Sequence, residues 1–154
     1  MKKLFYCCFF MVLAVFLHAQ TADRIEGFLN AKAISYGDAA LLVLEAADAA
    51  DRFGSGVISS KEEAFRFAAG QKWLPADATS NTTATLEWVS LLTMQSFGLK
   101  GGIFYSLSKQ PHYAYRELAY KDIIQGRIDP QMPVSGEILL FMVGRVLDEI
   151  EENS

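Results

Sequence analysis

Apolar positions along this chain gather in three dense runs that repeat at a spacing of fifty residues. Ile34–Leu44, Ala84–Met94 and Val134–Gly144 align without gaps. Ser35, Thr85 and Ser135 coincide just ahead of the apolar runs, and Glu87 and Glu137 coincide two residues later. A hydroxyl at a helix start can accept from free backbone N–H groups, and a carboxylate in the first turn favours the positive end of the helix dipole. The pattern therefore predicts three helix starts. The exact cap residue stays open, because the spacing is not a full capping box. Ala39–Leu44 and Ile138–Val143 contain no polar side chain. Helices without a polar face are buried, so central helices are predicted over about 35–47, 85–97 and 135–150.

A more amphipathic class of element alternates with these. Residues 61–74 and 113–125 read as outer helices related by the same offset. Phe65 matches Tyr115, Arg66 matches Arg116, Ala69 matches Ala119, and Trp73-Leu74 matches Ile123-Ile124. Turn-forming loops, Pro75–Thr83 and Gly126–Pro133, lead from each outer helix to the next central one. Self-similarity at this period marks a repeat architecture. The expected fold is an all-α, pseudo-three-fold bundle with five main helices. Its first repeat is incomplete, since Thr21–Asn30 leaves room only for a short helical substitute.

The N-terminus changes this picture. Lys2 and Lys3 precede an uncharged apolar run from Leu4 to Leu17, closed by His18, Ala19 and Gln20. That is the order of a secretory signal peptide, and the run is short for a membrane span. Residues 1–19 are read as the signal, with cleavage between Ala19 and Gln20 within a residue or two. An uncleaved anchor is the weaker alternative. Residues 20–154 then form one domain. Cys7 and Cys8 leave with the signal, so disulfides, thiol nucleophiles and cysteine metal sites leave too. Without Lys2 and Lys3 the chain carries 12 basic and 18 acidic residues, a net charge of −6. Such a balance argues against nucleic acid and against an anionic membrane surface as partners.

Catalytic chemistry finds little footing. His112 is the single histidine after the signal, and no nucleophile elbow or glycine-rich oxyanion loop accompanies it. A place near a helix start, after Pro111, is its plainer reading. No His or Cys cluster has metal-ligand spacing. Glu45, Asp48 and Asp51 fall on one helix side and read as a solvated face. Trp73 and Trp88 match Ile123 and Ile138 and read as core plugs. Tyr113, Tyr115 and Tyr120 suggest a contact surface, shared with core packing. The acidic end Asp148–Glu152 opposes the helix dipole and is expected to fray. Arg66 and Arg116, equivalent by the repeat, could hold carboxylates or phosphates; ion pairs with Glu62, Glu63 or Glu117 are the plainer expectation.

The repeat resembles the S-layer homology (SLH) module. The resemblance is carried by Leu118-Ala-Tyr-Lys-Asp-Ile-Ile-Gln-Gly126, Asp129-Pro130 and Val134-Ser-Gly-Glu137, and more weakly by Ala68–Pro75 with Thr85-Leu-Glu87. It covers about residues 30–150. It implies a spindle of central helices and a non-catalytic role in attaching proteins to the cell envelope, through a wall polymer or peptidoglycan. The family's arginine in its Thr-Arg-Ala-Glu start is Tyr36, Leu86 and Gly136 here, so the fold would be kept with a changed ligand. The resulting expectation is an exported, periplasmic or envelope-bound module without enzyme activity, cofactor or metal. Its ligand contacts would fall on Arg66, Arg116, Ser35, Thr85 and Ser135. The alternative is a periplasmic protein-interaction adaptor, docking a partner at the incomplete first repeat.

Overall fold

The computed structural model describes residues 25–54, 58–126 and 128–152. The secretory-signal reading of residues 1–19 lies outside the described residues. Those described are helical: α1 (25–30), α2 (Tyr36–Ala46), α3 (Ala49–Phe53), α4 (Lys61–Gly70), α5 (Leu86–Phe97), α6 (Ile103–Ser108), α7 (Pro111–Tyr120) and α8 (Gly136–Glu152). The all-α class expected from the apolar periodicity is the class observed.

The segments entering α2, α5 and α8 meet at one point. Ala84 N–H donates to Ile34 O, Val134 N–H to Ala84 O, and Ile34 N–H to Val134 O, each at 2.9 Å. Three buried residues fifty apart thus close a ring of backbone hydrogen bonds. Around it, the free N–H groups at the helix starts find partners on the neighbouring loops. Tyr36 and Gly37 donate to Thr82 O and Ser80 O, while Leu86 and Glu87 donate to Met132 O and Pro130 O, all between 2.9 and 3.1 Å. Gly136 donates to Ala31 O at 2.9 Å. A buried helix start needs such partners for its free donors.

Each outer helix packs on a preceding central one: α4 on α2, and α7 on α5. Their contact faces carry Ala64 and Ala68, or Ala114 and Leu118, at one-turn spacing and fully buried. Ser60 caps α4 by accepting from Glu63 N–H at 3.3 Å, and the Glu63 carboxylate reaches back to Ser59 N–H and Oγ. These hydrogen bonds from Ser59, backbone first, hold the Glu63 carboxyl below its ordinary range.

The outer helices end earlier than the periodicity predicts, at Gly70 and Tyr120. Left-handed backbone at Lys72 (φ 62°) and Asp122 (φ 56°) stops them. Trp73 and Ile123 then donate backward to Ala68 O and Leu118 O, both at 3.0 Å. Trp73-Leu74 and Ile123-Ile124 enter the core from a turn rather than from a helix face. The short helices α3 and α6 were not expected. Asp48, also left-handed (φ 47°), breaks α2 from α3, so Glu45, Asp48 and Asp51 do not share one continuous helix.

The central helices are not equally enclosed. In α5 all but Glu87, Trp88 and Gln95 are buried. In α8 Phe141 is exposed on the outward side, and Leu147 and Ile150 are exposed near the C-terminal end. The all-round burial expected for it holds only on one side. The acidic end of α8 stays helical to Glu152, with Lys121 paired to Glu149.

Gly136 lies so close to Phe28 that a Cβ would stand 1.7 Å from its carbonyl oxygen, whereas a Cβ on Gly144 would meet nothing within 4 Å. Gly136→Ala is therefore expected to cost about 3 kcal/mol through a backbone clash. Gly144→Ala should raise stability by about 1 kcal/mol through helix propensity. Urea denaturation reads both; equal midpoints for the two variants would contradict this packing.

Candidate functional site

The three aligned hydroxyls lie beside the central ring, and local structure absorbs them unequally. Ser35 Oγ accepts from Asp38 N–H at 3.2 Å and donates to the Asp38 carboxylate at 2.5 Å. Lys61 Nζ reaches the same carboxylate at 3.5 Å. Ser135 Oγ accepts from Ile138 N–H at 3.2 Å. Thr85 makes no side-chain cap. Its Oγ1 lies 3.2 Å from Tyr36 Oη, which accepts from Thr85 N–H at 3.3 Å. The common capping role therefore applies to the two serines, while the Thr85 hydroxyl is turned to Tyr36.

Arg66 and Arg116 sit at matching, exposed places on α4 and α7. Arg66 Nε donates to Glu62 O of its own helix at 3.4 Å. Among the described residues neither arginine has an ion pair, so the expected pairing with Glu62, Glu63 or Glu117 is not made. The charged group that the structure brings to the Ser35–Asp38 pair is Lys61, through Asp38. Its juxtaposition with Asp38 depends on how α4 lies on α2, which no local spacing reveals.

The aromatic candidates divide. Trp73 is buried in a trio with Phe53 and Phe67, with ring centroids 5.4 and 5.7 Å away. Trp88 is half-buried. Tyr115 Oη donates to Ile128 O at 2.5 Å, Tyr113 stacks on Phe104 at 5.7 Å, and Tyr120 is exposed. These three tyrosines serve separate neighbours rather than one contact surface. His112 is exposed in the first turn of α7, its ring edge on Tyr113.

Three cavities border these elements. One of about 230 Å³ lies along Gly27, Phe28, Ala31 and Ile34, with Asp38. One of about 360 Å³ lies between Ile123, Ile124 and Ile128 and the Glu137–Met142 turns of α8. One of about 410 Å³ joins Phe53, Trp73, Leu91 and Gln95 with Lys72 and Lys109. Arg66 and Arg116 line none of the three. Among the described residues no three His, Cys, Asp or Glu side chains come together to hold a metal ion, and no helix is long and apolar enough to cross a membrane.

No protein-family model, curated protein or solved structure matches this chain.

Two expectations follow from this geometry. Ser35→Ala and Ser135→Ala should each cost about 1 kcal/mol of stability through a lost cap; unchanged melting midpoints would free these hydroxyls for a ligand. Tyr105 is buried, and burial pushes its hydroxyl up to about 12, with the Glu117 charge adding to the rise and a hydrogen bond from Gln95 opposing it. A raised folded value means that the neutral form is favoured by folding. That stability is complete below about pH 10, the ordinary tyrosine range, and is lost as pH rises toward 12. Absorbance at 295 nm should show a tyrosine component titrating near pH 12 that Tyr105→Phe removes; its persistence in that variant would reassign it.

Proposed function

We propose that this protein is an exported, non-catalytic cell-envelope binding module, a divergent SLH-like unit of three repeats that recognises a cell-wall glycan or peptidoglycan. The observation that carries this reading is the closed ring of Ile34, Ala84 and Val134, equal in length and fifty residues apart. Equivalent left-handed stops at Lys72 and Asp122 and equivalent helix pairs α2–α4 and α5–α7 add support. Repeats of this kind present equivalent exposed side chains to a repeating polymer. Arg66 and Arg116, free of carboxylate partners among the described residues, are available to its anionic groups. Ser35, Thr85 and Ser135 lie deeper; the two serines contribute chiefly by holding the helix starts, and Thr85 meets Tyr36.

A second reading, a protein-interaction adaptor, is favoured by the third sector. Phe141 of α8 is exposed there, and the 360 Å³ cavity beside it is floored by Ile123, Ile124 and Ile128. A partner helix would bury such a face in the way that α4 buries α2.

Co-sedimentation of residues 20–154 with purified sacculi, intact and stripped of attached polymer, tests both readings. Pelleting lost on stripping, and weakened about tenfold by Arg116→Ala, is the outcome expected for a wall-polymer module. Pelleting with both preparations assigns peptidoglycan. Absence of pelleting with either overturns the wall-binding reading and leaves the adaptor.

A further inference from the structure

Three of the four most exposed large hydrophobic side chains of the described residues lie on one short helix. Ile103, Phe104 and Leu107 of α6 are 76 %, 69 % and 82 % exposed. In a six-residue helix these positions share one outward side. The opposite side is held by Tyr105, which is buried and accepts a hydrogen bond from Gln95 Nε2 at 2.8 Å. Phe104 is steadied by its stacking on Tyr113. The apolar cluster is therefore a fixed protrusion rather than a groove.

Its charge is unlike that of the chain as a whole. No carboxylate occurs between Glu87 and Glu117, although the sequence holds 18 Asp and Glu residues. Exposed Lys100 and Lys109 flank α6 on either side. Lys109 shares the lining of the 410 Å³ cavity with Lys72 and Phe53, which extends the basic and apolar character toward α3. Glu117 lies half-buried beside Gly102 at the start of α6, where it complements the helix dipole.

We propose that the α6 end of the molecule docks on an anionic lipid bilayer surface. Ile103, Phe104 and Leu107 enter the boundary between headgroups and acyl chains, and Lys100, Lys109 and Lys72 meet the lipid phosphates. Apolar side chains projecting from a rim of lysines are the chemistry of interfacial membrane binding. A protein partner would instead need a groove to receive a convex wedge. The net acidic composition argues against such a surface only as an average; the carboxylate-free stretch removes that repulsion at this end. This inference goes beyond the wall-binding reading and does not depend on it.

The test is flotation of the protein, expressed as the full chain and purified as the cell processes it, with vesicles of phosphatidylglycerol and phosphatidylcholine against vesicles of phosphatidylcholine alone. Binding to the anionic vesicles is expected, with loss of at least tenfold in Phe104→Asp/Leu107→Asp. Lys100→Gln/Lys109→Asn should lose roughly twentyfold on anionic vesicles and little on neutral ones. Both pairs are exposed, and circular dichroism checks that each variant stays helical. Single variants Ile103→Ser and Leu107→Ser, each expected to weaken binding, keep the test open if a double variant misfolds. The proposal is overturned if anionic vesicles bind no protein, if the apolar variants bind as the parent does, or if α6 instead supports concentration-dependent self-association.

Discussion

Three backbone hydrogen bonds, among Ile34, Ala84 and Val134, set the position of every central helix in this protein. Each residue gives its N–H to one neighbour and its carbonyl to the other, so the ring satisfies its own buried polar groups. It has no redundancy. Moving any one entry segment breaks two bonds and leaves a donor and an acceptor unpaired in the core. The flanking N–H groups extend the constraint, because each helix start takes loop carbonyls from another sector. Helix starts, loops and ring thus form one cooperative unit, rather than three helix pairs that merely touch.

The outer layer follows from this centre. With α2 and α5 fixed at their starts, the small faces of α4 and α7 can lie close against them. The left-handed residues Lys72 and Asp122 then turn the chain inward. Trp73, Leu74, Ile123 and Ile124 plug the space beneath, before the loops return to the ring. The third sector departs from this scheme. Gly136 is pressed on the Phe28 carbonyl, its N–H goes to Ala31, and the outer side of α8 remains open. The asymmetry is where the fold leaves apolar surface uncovered.

Function, on the reading proposed here, is distributed by exposure and charge rather than gathered in one pocket. Arg66 and Arg116 project at equivalent places, while the carboxylate-free stretch from α5 to α7 gathers lysines around the apolar wedge of α6. An average charge hides this separation, because interactions at a surface are screened beyond about 8–10 Å. A chain with an acidic balance can therefore carry one basic, apolar end.

The all-α class and the central helices were legible in the sequence, because apolar runs fifty residues apart carry their own periodicity and their own start signals. The outer helices were legible in place but not in length. Their apolar pattern continues through Trp73-Leu74 and Ile123-Ile124, and side chains in a turn can bury as deeply as those on a helix. The roles of the aligned hydroxyls were only partly legible: Ser35 and Ser135 cap locally, but the Thr85 hydroxyl meets Tyr36, which is distant in sequence. The Lys61–Asp38 pair and the exposed wedge of α6 were not legible. Both depend on which face a helix turns to a distant neighbour. Local composition determines what a segment can form and how much of it wants burial. Only the packed chain decides which groups meet, since those meetings are made across the ring by residues far apart in sequence.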